Sequence, residues 1–551
     1  MSVAAVAAPT PSPWLFGRWR DLLFGCGVLY ALAFAAFLAA GPGIRASQPA
    51  LLFPLLLTFA SMPHYGATLL RVYERGRDRR AYALFSLWAT LGVAVWLVTG
   101  ALVPTAGAWL VTLYLTWSPW HYTGQNYGLA VMFLRRRGLP LEGIEKRWLY
   151  ASYVLSFAFV FLMLHQAQPG VRAAAQPAGI YGLPVRPLGI PAAWNAWLEP
   201  ALLLAYLGAL ARSWSGLARR ASLAELAPAA CLALTQALWF VVPSVVRQFG
   251  LHTPFEALDW ALHDHYFTWI AGGHAIQYLW VTAFTARHSP GYQGFLPFYG
   301  KALASSAGVW MFPAIALGPA ALGLRSLDAG LALLVAAAVN LHHFILDGAI
   351  WKLRGRVAAI LLRDANDEAD AAPRAAWLRR AVWSACALAL AAAVWVDANE
   401  DLSRRAFTRD DLAAAARAET RLAWIGHDRA EARRILGRAQ LAQGDAAAAR
   451  TQLERSIVLE PSLAGHALNA RARLRDGDAR AAAQAWEQAL AFAPENARLH
   501  VRAAASWLAA GERDAARAHV ERAMGLRPRD RELARQLGVL RAKLASSRGA
   551  P

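Results

Sequence analysis

The sequence predicts an all-α protein in two parts: a polytopic membrane helix bundle of about eleven helices over residues 1–397, and a soluble α-helical domain over residues 398–551. Of the 551 residues, 57% are hydrophobic and only 17% are charged, whereas soluble proteins average about 45–50% apolar and about 25% charged residues. The long apolar blocks end near residue 397, and after it charged residues are frequent and a repeat begins. These observations indicate one part in lipid and one in water.

The transmembrane helices are predicted from apolar blocks of about 20 residues, the length that crosses a bilayer. The blocks lie at 22–40, 50–72, 81–103, 106–134, 147–165, 192–211, 225–246, 262–285, 302–323, 329–351 and 380–396. The first block follows Arg18 and Arg20 and lacks a small-residue cleavage site. We therefore expect it to stay in the membrane as an anchor.

The basic residues of the predicted loops lie almost entirely on one side of the membrane. Arg71, Arg135 and Lys352 mark basic clusters after even-numbered helices, whereas the opposite loops contain few basic residues, such as Arg45 and Arg172. By the positive-inside rule, the amino terminus is cytoplasmic, and an odd number of helices places the carboxyl-terminal domain outside. The chain is rich in Ala and Arg and poor in Lys, a composition typical of a high-GC bacterium. We therefore expect the protein to lie in a bacterial inner membrane, with residues 398–551 in the periplasm.

The net charge of +20 raises the possibility of a nucleic-acid partner. The basic residues cluster between apolar blocks, however, where membrane topology explains them better. The three cysteines each lie inside an apolar block, which excludes a disulfide framework and a paired-cysteine metal site. We therefore expect no nucleic-acid partner.

Two residue types recur in the second part at intervals of 33 and 34 residues. They are Gly444, Gly477 and Gly511, which begin Gly-Asp or Gly-Glu turns, and Pro461, Pro494 and Pro528. A helix-turn-helix unit of about 34 residues is the repeat that this period predicts.

This repeat resembles the tetratricopeptide repeat (TPR). Leu436 and Gly437 match the Leu-Gly pair of that family, Ala449 matches a small packing position, and Pro461 matches the closing proline. The resemblance implies an α-helical TPR solenoid with a concave surface that binds a protein or peptide partner. A structural cap on the membrane part is the alternative.

Histidines concentrate in the even-numbered predicted helices. Five of them, His64, His121, His274, His342 and His343, lie roughly 10–21 Å above the predicted cytoplasmic edge at 1.5 Å per residue. Ionisable groups at such a depth normally face a protein interior and mark function. Imidazoles with a carboxylate suit iron, zinc or copper, so we predict these five as metal ligands.

Three polar residues follow the predicted ligands by one helical turn. Gln125 is four residues after His121, Tyr278 four after His274, and Asp347 four after His343. Residues four apart share a helix face. Gln125, Tyr278 and Asp347 are therefore predicted as catalytic or ligand-orienting groups in the same pocket.

The histidine pattern resembles the multi-histidine integral-membrane iron oxygenases, which include fatty-acid desaturases and hydroxylases and the carotenoid-cleaving dioxygenases. The adjacent pair His342-His343 is the residue match, while the longer histidine boxes of the desaturases are missing. The resemblance implies a mononuclear or di-iron oxidoreductase acting on a membrane lipid or isoprenoid.

Two other interpretations remain open at this stage. An acyl or glycosyl transferase would use His343 as a general base oriented by Asp347. An assembly factor or transporter would use the polar layer to conduct protons or to bind haem, which needs two histidines.

Overall fold

The structure is a computed structural model that describes residues 12–40, 56–74, 76–141, 143–166, 186–248, 264–316, 331–367, 376–526 and 530–545. Throughout these ranges the regular structure is helical and no strand forms, which confirms the all-α prediction. Pro528 and parts of the predicted blocks 50–72, 262–285, 302–323 and 329–351 lie outside the described ranges.

The chain divides into two compact units. The first comprises Met1–Pro313 and Leu333–Ala393, and the second comprises Ala314–Ala332 and Val394–Pro551.

The helices that begin before residue 394 are α1 Arg18–Arg20, α2 Val28–Ala40, α3 Met62–Tyr73, α4 Gly76–Ala81, α5 Thr90–Leu102, α6 Pro104–Arg136, α7 Gly143–His165, α8 Asn195–Ala218, α9 Leu223–Phe240, α10 Val242–Gln248, α11 Asp264–Arg287, α12 Phe295–Ala316, α13 Leu331–Ile350, α14 Gly355–Arg363 and α15 Ala376–Thr408. Short π-helical turns at Asp21–Gly25, Leu57–Ser61 and Leu84–Ala89 and a 3₁₀ turn at Ala192–Trp194 complete the series.

Six helices in the described ranges are long and apolar enough to cross a membrane, fewer than the eleven predicted. They are Leu84–Leu102, Gly143–His165, Asn195–Ala218, Leu223–Phe240, Leu333–Ile350 and Trp377–Thr408. Helices α6 and α11 are long enough, at 33 and 24 residues, but they are not among these six. The physical reason is that both helices carry many polar side chains, and several of these face the interior of the bundle.

Buried polar contacts fix the helices that carry these polar residues. The Asn126 amide on α6 donates to Gln236 Oε1 on α9 at 2.9 Å, and Gln236 Nε2 donates to Ser156 Oγ on α7 at 2.8 Å. At the end of α6, the buried Arg136 guanidinium pairs with Asp364 at 3.0 Å. These bonds satisfy groups that would be costly to bury alone.

A glycine allows α3 to lie directly against α12. An ideal Cβ at Gly66 would lie 1.7 Å from the backbone carbonyl oxygen of Ala302 and 2.8 Å from Ser305 Oγ. Small residues at helix interfaces permit this close approach in membrane proteins. Gly66 therefore determines the position of α3.

From Val394 onward, the described residues of the second unit form the end of α15 and eight further helices. These are α16 Leu412–Ala423, α17 Ala430–Ala442, α18 Ala446–Leu459, α19 Leu463–Arg475, α20 Ala479–Leu490, α21 Ala497–Ala509, α22 Arg513–Gly525 and α23 Arg531–Ala545. Helices α17 and α18, α19 and α20, and α21 and α22 pack as successive hairpins.

The hairpin turns explain why the Gly-Asp pairs recur. Gly444, Gly477 and Gly511 adopt φ values of 92°, 82° and 83°, a left-handed conformation that favours glycine. The next residue caps the following helix in two of the turns, since Asp445 accepts from the Ala448 N–H and Asp478 from the Ala481 N–H. Such a cap contributes about 1 kcal/mol.

Candidate metal centre

Four helices of the first unit bring four of the predicted histidines together. They are His64 on α3, His121 on α6, His274 on α11 and His343 on α13. The imidazole centroids of His64 and of His121 each lie 4.8–5.2 Å from those of both His274 and His343. His64, His274 and His343 are buried, each no more than 2% exposed. Four of the five histidines of the predicted layer therefore form one compact cluster.

The orientation of His64 is set by the π-helical turn that precedes α3. His64 Nδ1 donates to the carbonyl oxygen of Ser61, the last residue of that turn. A carbonyl only accepts, so Nδ1 carries the proton and Nε2 keeps its lone pair. A hydrogen bond of this kind fixes the tautomer of a metal-binding histidine, and π-helical turns are frequent at functional sites.

A hydroxyl network orients His343 and Asp347. Thr68 Oγ1 lies 2.9 Å from His343 Nδ1 and donates to Asp347 Oδ1 at 3.1 Å. Tyr278 also donates to Asp347 Oδ1, at 2.6 Å, and accepts from the Trp351 indole N–H at 3.0 Å. With the Thr68 hydroxyl donating to the carboxylate, Thr68 accepts from His343 Nδ1, so the lone pair of His343 is on Nε2.

Asp347 presents its second oxygen to the histidines. Asp347 Oδ2 lies 3.4 Å from His343 Nε2 and 3.7 Å from His121 Nε2. Asp347 is 5% exposed. Its carboxylate therefore lies at the edge of the cluster with one oxygen engaged by hydroxyls and the other directed towards two imidazoles.

Four imidazole nitrogens of the cluster are buried without a hydrogen-bond partner among the described residues. They are Nε2 of His121, Nδ1 and Nε2 of His274, and Nε2 of His343. A buried polar atom left unpaired costs about 1–3 kcal/mol, so four in one place need an explanation. Because a neutral imidazole has one lone pair, coordination of a cation by one nitrogen each of His121, His274 and His343 would account for three of the four.

The donor atoms form two overlapping triads. One comprises His64, His274 and His343, and the other comprises His121, His343 and Asp347; within each triad the donor atoms lie within 4.8 Å of one another. Two donors of one ion, each about 2.0–2.2 Å from it, lie at most about 4.4 Å apart. The donor spacing therefore fits a bound metal with small side-chain adjustments.

His342, the fifth predicted ligand, lies apart from this cluster. Its Nε2 lies 2.8 Å from Thr90 Oγ1 and 3.2 Å from Tyr73 OH, and neither triad contains it. It lines a separate, mainly apolar cavity of about 720 Å³ between α3, α5, α12, α13 and α15. Successive residues on a helix point about 100° apart, which explains why His342 and His343 reach different places.

Gln125 supports the cluster through backbone and amide contacts. Its Nε2 donates to the His274 carbonyl oxygen at 3.2 Å and to Gln277 Oε1 at 3.1 Å. These bonds join α6 to α11 at the level of the histidines. Tyr278, by contrast, contacts Asp347 directly.

The sequence interpretation missed Thr68 and Trp351. Thr68 lies four residues after His64, the spacing that identified the other polar partners, so that signal was available. Trp351 supplies the hydrogen bond to Tyr278 and its ring lies 4.3 Å below the Arg71 guanidinium. Its role depends on a contact between α11 and the end of α13, for which the sequence carries no local signal.

A second cavity opens directly on the cluster. It has a volume of about 350 Å³, and its lining includes His121, Asp347 and Tyr278 at one end. Tryptophan and phenylalanine side chains form much of the remaining wall. A reactant could therefore approach His121 and Asp347 without any change in the packing of the helices.

The sequence matches no protein-family model and no curated protein. Among solved structures, the crystal structure of MamA protein is similar to part of the chain, with 19% sequence identity and a TM-score of 0.24. The similarity covers 27% of this chain and 82% of the MamA chain.

Proposed function

We propose that this protein is an integral-membrane, metal-dependent oxidoreductase of the oxygenase or desaturase type that acts on a lipid or isoprenoid. The observation that carries the proposal is a cluster of buried imidazoles with unpaired nitrogens, of which His121 Nε2 and His343 Nε2 lie 3.7 and 3.4 Å from the carboxylate oxygen Asp347 Oδ2. A transferase with His343 as its base would leave His64, His121 and His274 without a role.

The shared histidine favours one ion over two. His343 offers a single nitrogen to both triads, because its other nitrogen bonds Thr68. One lone pair binds one ion, so the two triads cannot both be complete at the same time. A mononuclear centre would therefore bind its ion through His343 and through other side chains of the two triads.

Iron is the metal that the donor set favours. His121, His343 and Asp347 have the two-histidine, one-carboxylate composition typical of mononuclear non-haem iron oxygenases. When bound, iron would supply redox chemistry. The protein would hold it through these side chains, while the hydroxyls of Thr68 and Tyr278 hold Asp347 with its second oxygen towards the cluster. The surrounding apolar helices would exclude water.

Metal analysis and an optical spectrum of the detergent-purified protein test this proposal. We expect about one iron per chain, since one lone pair of His343 serves one ion, and no Soret band. The variant His342→Ala provides a matched control, because it removes a neighbouring buried imidazole that lies outside both triads. A Soret band would favour the haem interpretation, and a chain free of metal after purification without chelator would overturn the proposal.

We also propose that the protein lies in a bacterial inner membrane with a cytoplasmic amino terminus and residues 398–551 in the periplasm. The distribution of basic residues supports this topology. Alkaline phosphatase fused to the carboxyl terminus should be active in a bacterial host, and a green fluorescent protein fused there should stay dark. A fluorescent fusion paired with an inactive phosphatase would contradict the topology.

The second unit is proposed to be a TPR solenoid that binds a protein or peptide partner. Three successive helical hairpins with the same turn residues support this. The first helix of each hairpin would line the concave face. A photo-crosslinking residue at Ile435 on α17 should therefore capture one partner in cells, whereas one at Val458 on α18, although more exposed at 71% against 39%, should not. Equal labelling at both positions would contradict a concave binding face.

A further inference from the structure

The cavity beside the histidine cluster has the composition of a small-molecule site. Its volume of about 350 Å³ is at the lower end of the range of about 300–1,000 Å³ typical of such sites, which are mostly apolar with a few convergent polar groups. The apolar wall includes Trp117, Trp120, Phe344 and Trp351. The polar groups at its inner end are those of the proposed metal centre.

Three glycines keep this cavity open. Gly124 and Gly128 on α6 and Gly348 on α13 line it, and a Cβ added at any of them would meet no atom within 4 Å. A glycine in a helix interior costs about 1 kcal/mol relative to alanine. Close helix packing, which accounts for Gly66, does not account for these three. What they provide is free space next to His121 and Asp347.

The cavity opens at the level of the cluster. Gly124 is exposed, as is Trp120 at 38%, and both lie within one turn of His121. Phe344, which also lines the cavity, belongs to the candidate membrane span Leu333–Ile350. An opening at this depth admits molecules that are dissolved in the bilayer.

Lys352 gives the cavity a polar end. It is exposed and is the one lysine or arginine in the lining, all of which falls in the described ranges. It lies five residues after Asp347, just beyond the end of α13 at Ile350. An anionic group that binds Lys352 would leave the adjoining part of the molecule between the tryptophans and the histidine cluster.

We propose that this cavity binds the substrate and that the substrate is an amphipathic lipid with an acidic head group. The head group pairs with Lys352, and the apolar tail passes Trp117 and Trp120 so that part of the tail lies beside His121 and Asp347. This inference rests on the proposed metal-dependent function. It adds the binding pocket, the route of entry from the bilayer and the charge of the substrate.

Photo-crosslinking of the full-length protein in detergent micelles tests the pocket. The probe is a long-chain fatty acid with a diazirine in its tail, and the labelled peptides are identified by mass spectrometry. We expect labelling of α6 between Trp117 and Met132, with competition by excess unlabelled fatty acid. Gly124→Leu and Gly128→Leu fill the cavity and should reduce this labelling about tenfold or more, because loss of 1.4 kcal/mol of binding already gives tenfold.

Gly208→Leu is the matched control. Gly208 lies on α8, is exposed, and has no atom within 4 Å of an added Cβ, so the same substitution there should leave labelling unchanged. Iron content is measured in every sample. Iron retained in Gly124→Leu while pocket labelling is lost supports the inference, because the metal ligands are then still in place.

Two results separate failure of this inference from failure of the proposed function. If the wild-type protein holds iron, and Gly124→Leu, Gly128→Leu and the control Gly208→Leu are all labelled as strongly as the wild type, the proposed pocket is overturned. Competed labelling of the pocket in a protein that binds no metal overturns the metal-dependent function.

The variant Lys352→Gln tests the charge of the head group. It should weaken labelling by the fatty-acid probe about fivefold, the size of an exposed ion pair, and leave labelling by the corresponding alcohol unchanged. Equal effects on both probes overturn the acidic head group.

Discussion

The variant His343→Ala is expected to lose the bound metal almost completely. His343 is the one histidine that belongs to both donor triads, so no triad remains complete without it. Loss of a residue that only orients a ligand typically costs about 10–100-fold in metal affinity, and removal of the ligand itself should cost at least as much. Iron per chain, measured after purification and again after dialysis against a weak chelator, gives the result.

Two further variants show whether the loss comes from coordination. Thr68→Val keeps the shape of the side chain but removes the hydroxyl that contacts His343 Nδ1 and Asp347, and it should weaken metal binding about 10–100-fold. His342→Ala removes the adjacent imidazole and should leave iron unchanged. Equal losses in His342→Ala and His343→Ala would indicate a packing defect and contradict the proposed centre.

His121→Ala separates the metal centre from a transferase. A metal centre that includes His121 should lose much of its iron and its function in this variant. A transferase with His343 as general base would keep most of its activity in His121→Ala and lose about 10²–10⁴-fold in His343→Ala. Unchanged function of both variants in a complementation assay would leave the histidine cluster with a structural role.

The sequence placed the four histidines that converge in one layer together with His342, because depth depends only on the distance along a helix from a basic cluster. His64, His121, His274 and His343 fall in one layer by that measure. Depth does not determine which face of the helix is inward, however. His342 shares the layer but points to a different cavity, and the direction of a side chain around a helix depends on how that helix packs.

The number of spans was harder to predict for a related reason. In α6 and α11, polar side chains such as His121, Gln125, His274 and Gln277 lower the apolar character of the helices. These side chains are turned towards the cluster and towards one another, as the bond from Gln125 to Gln277 shows. Composition alone cannot distinguish a helix of this kind from a soluble one, because the compensating contacts come from other parts of the chain.

The variant Gly66→Ala is expected to disrupt the metal centre without changing any of its ligands. The added Cβ would lie 1.7 Å from the carbonyl oxygen of Ala302, and backbone atoms cannot move aside as the end of a side chain can. Helix α3 must therefore shift away from α12. Overpacking in a tight interior typically costs about 1–3 kcal/mol, occasionally more, so we expect a lower midpoint of thermal unfolding in detergent.

The shift of α3 should reach the cluster, because His64 lies two residues before Gly66 and Thr68 lies two residues after it. A displacement of about 1 Å at a site can cost about 10²-fold in function, and we expect a comparable loss of iron binding.

Gly92→Ala on α5 is the control, since an added Cβ there meets no atom within 4 Å and should stabilise the helix by up to about 1 kcal/mol. Ala302→Gly should not rescue Gly66→Ala, because the obstructing atom is a backbone oxygen that every residue has. Wild-type iron content and thermal stability in Gly66→Ala, or rescue by Ala302→Gly, would show that α3 and α12 do not approach each other as closely as the structure indicates.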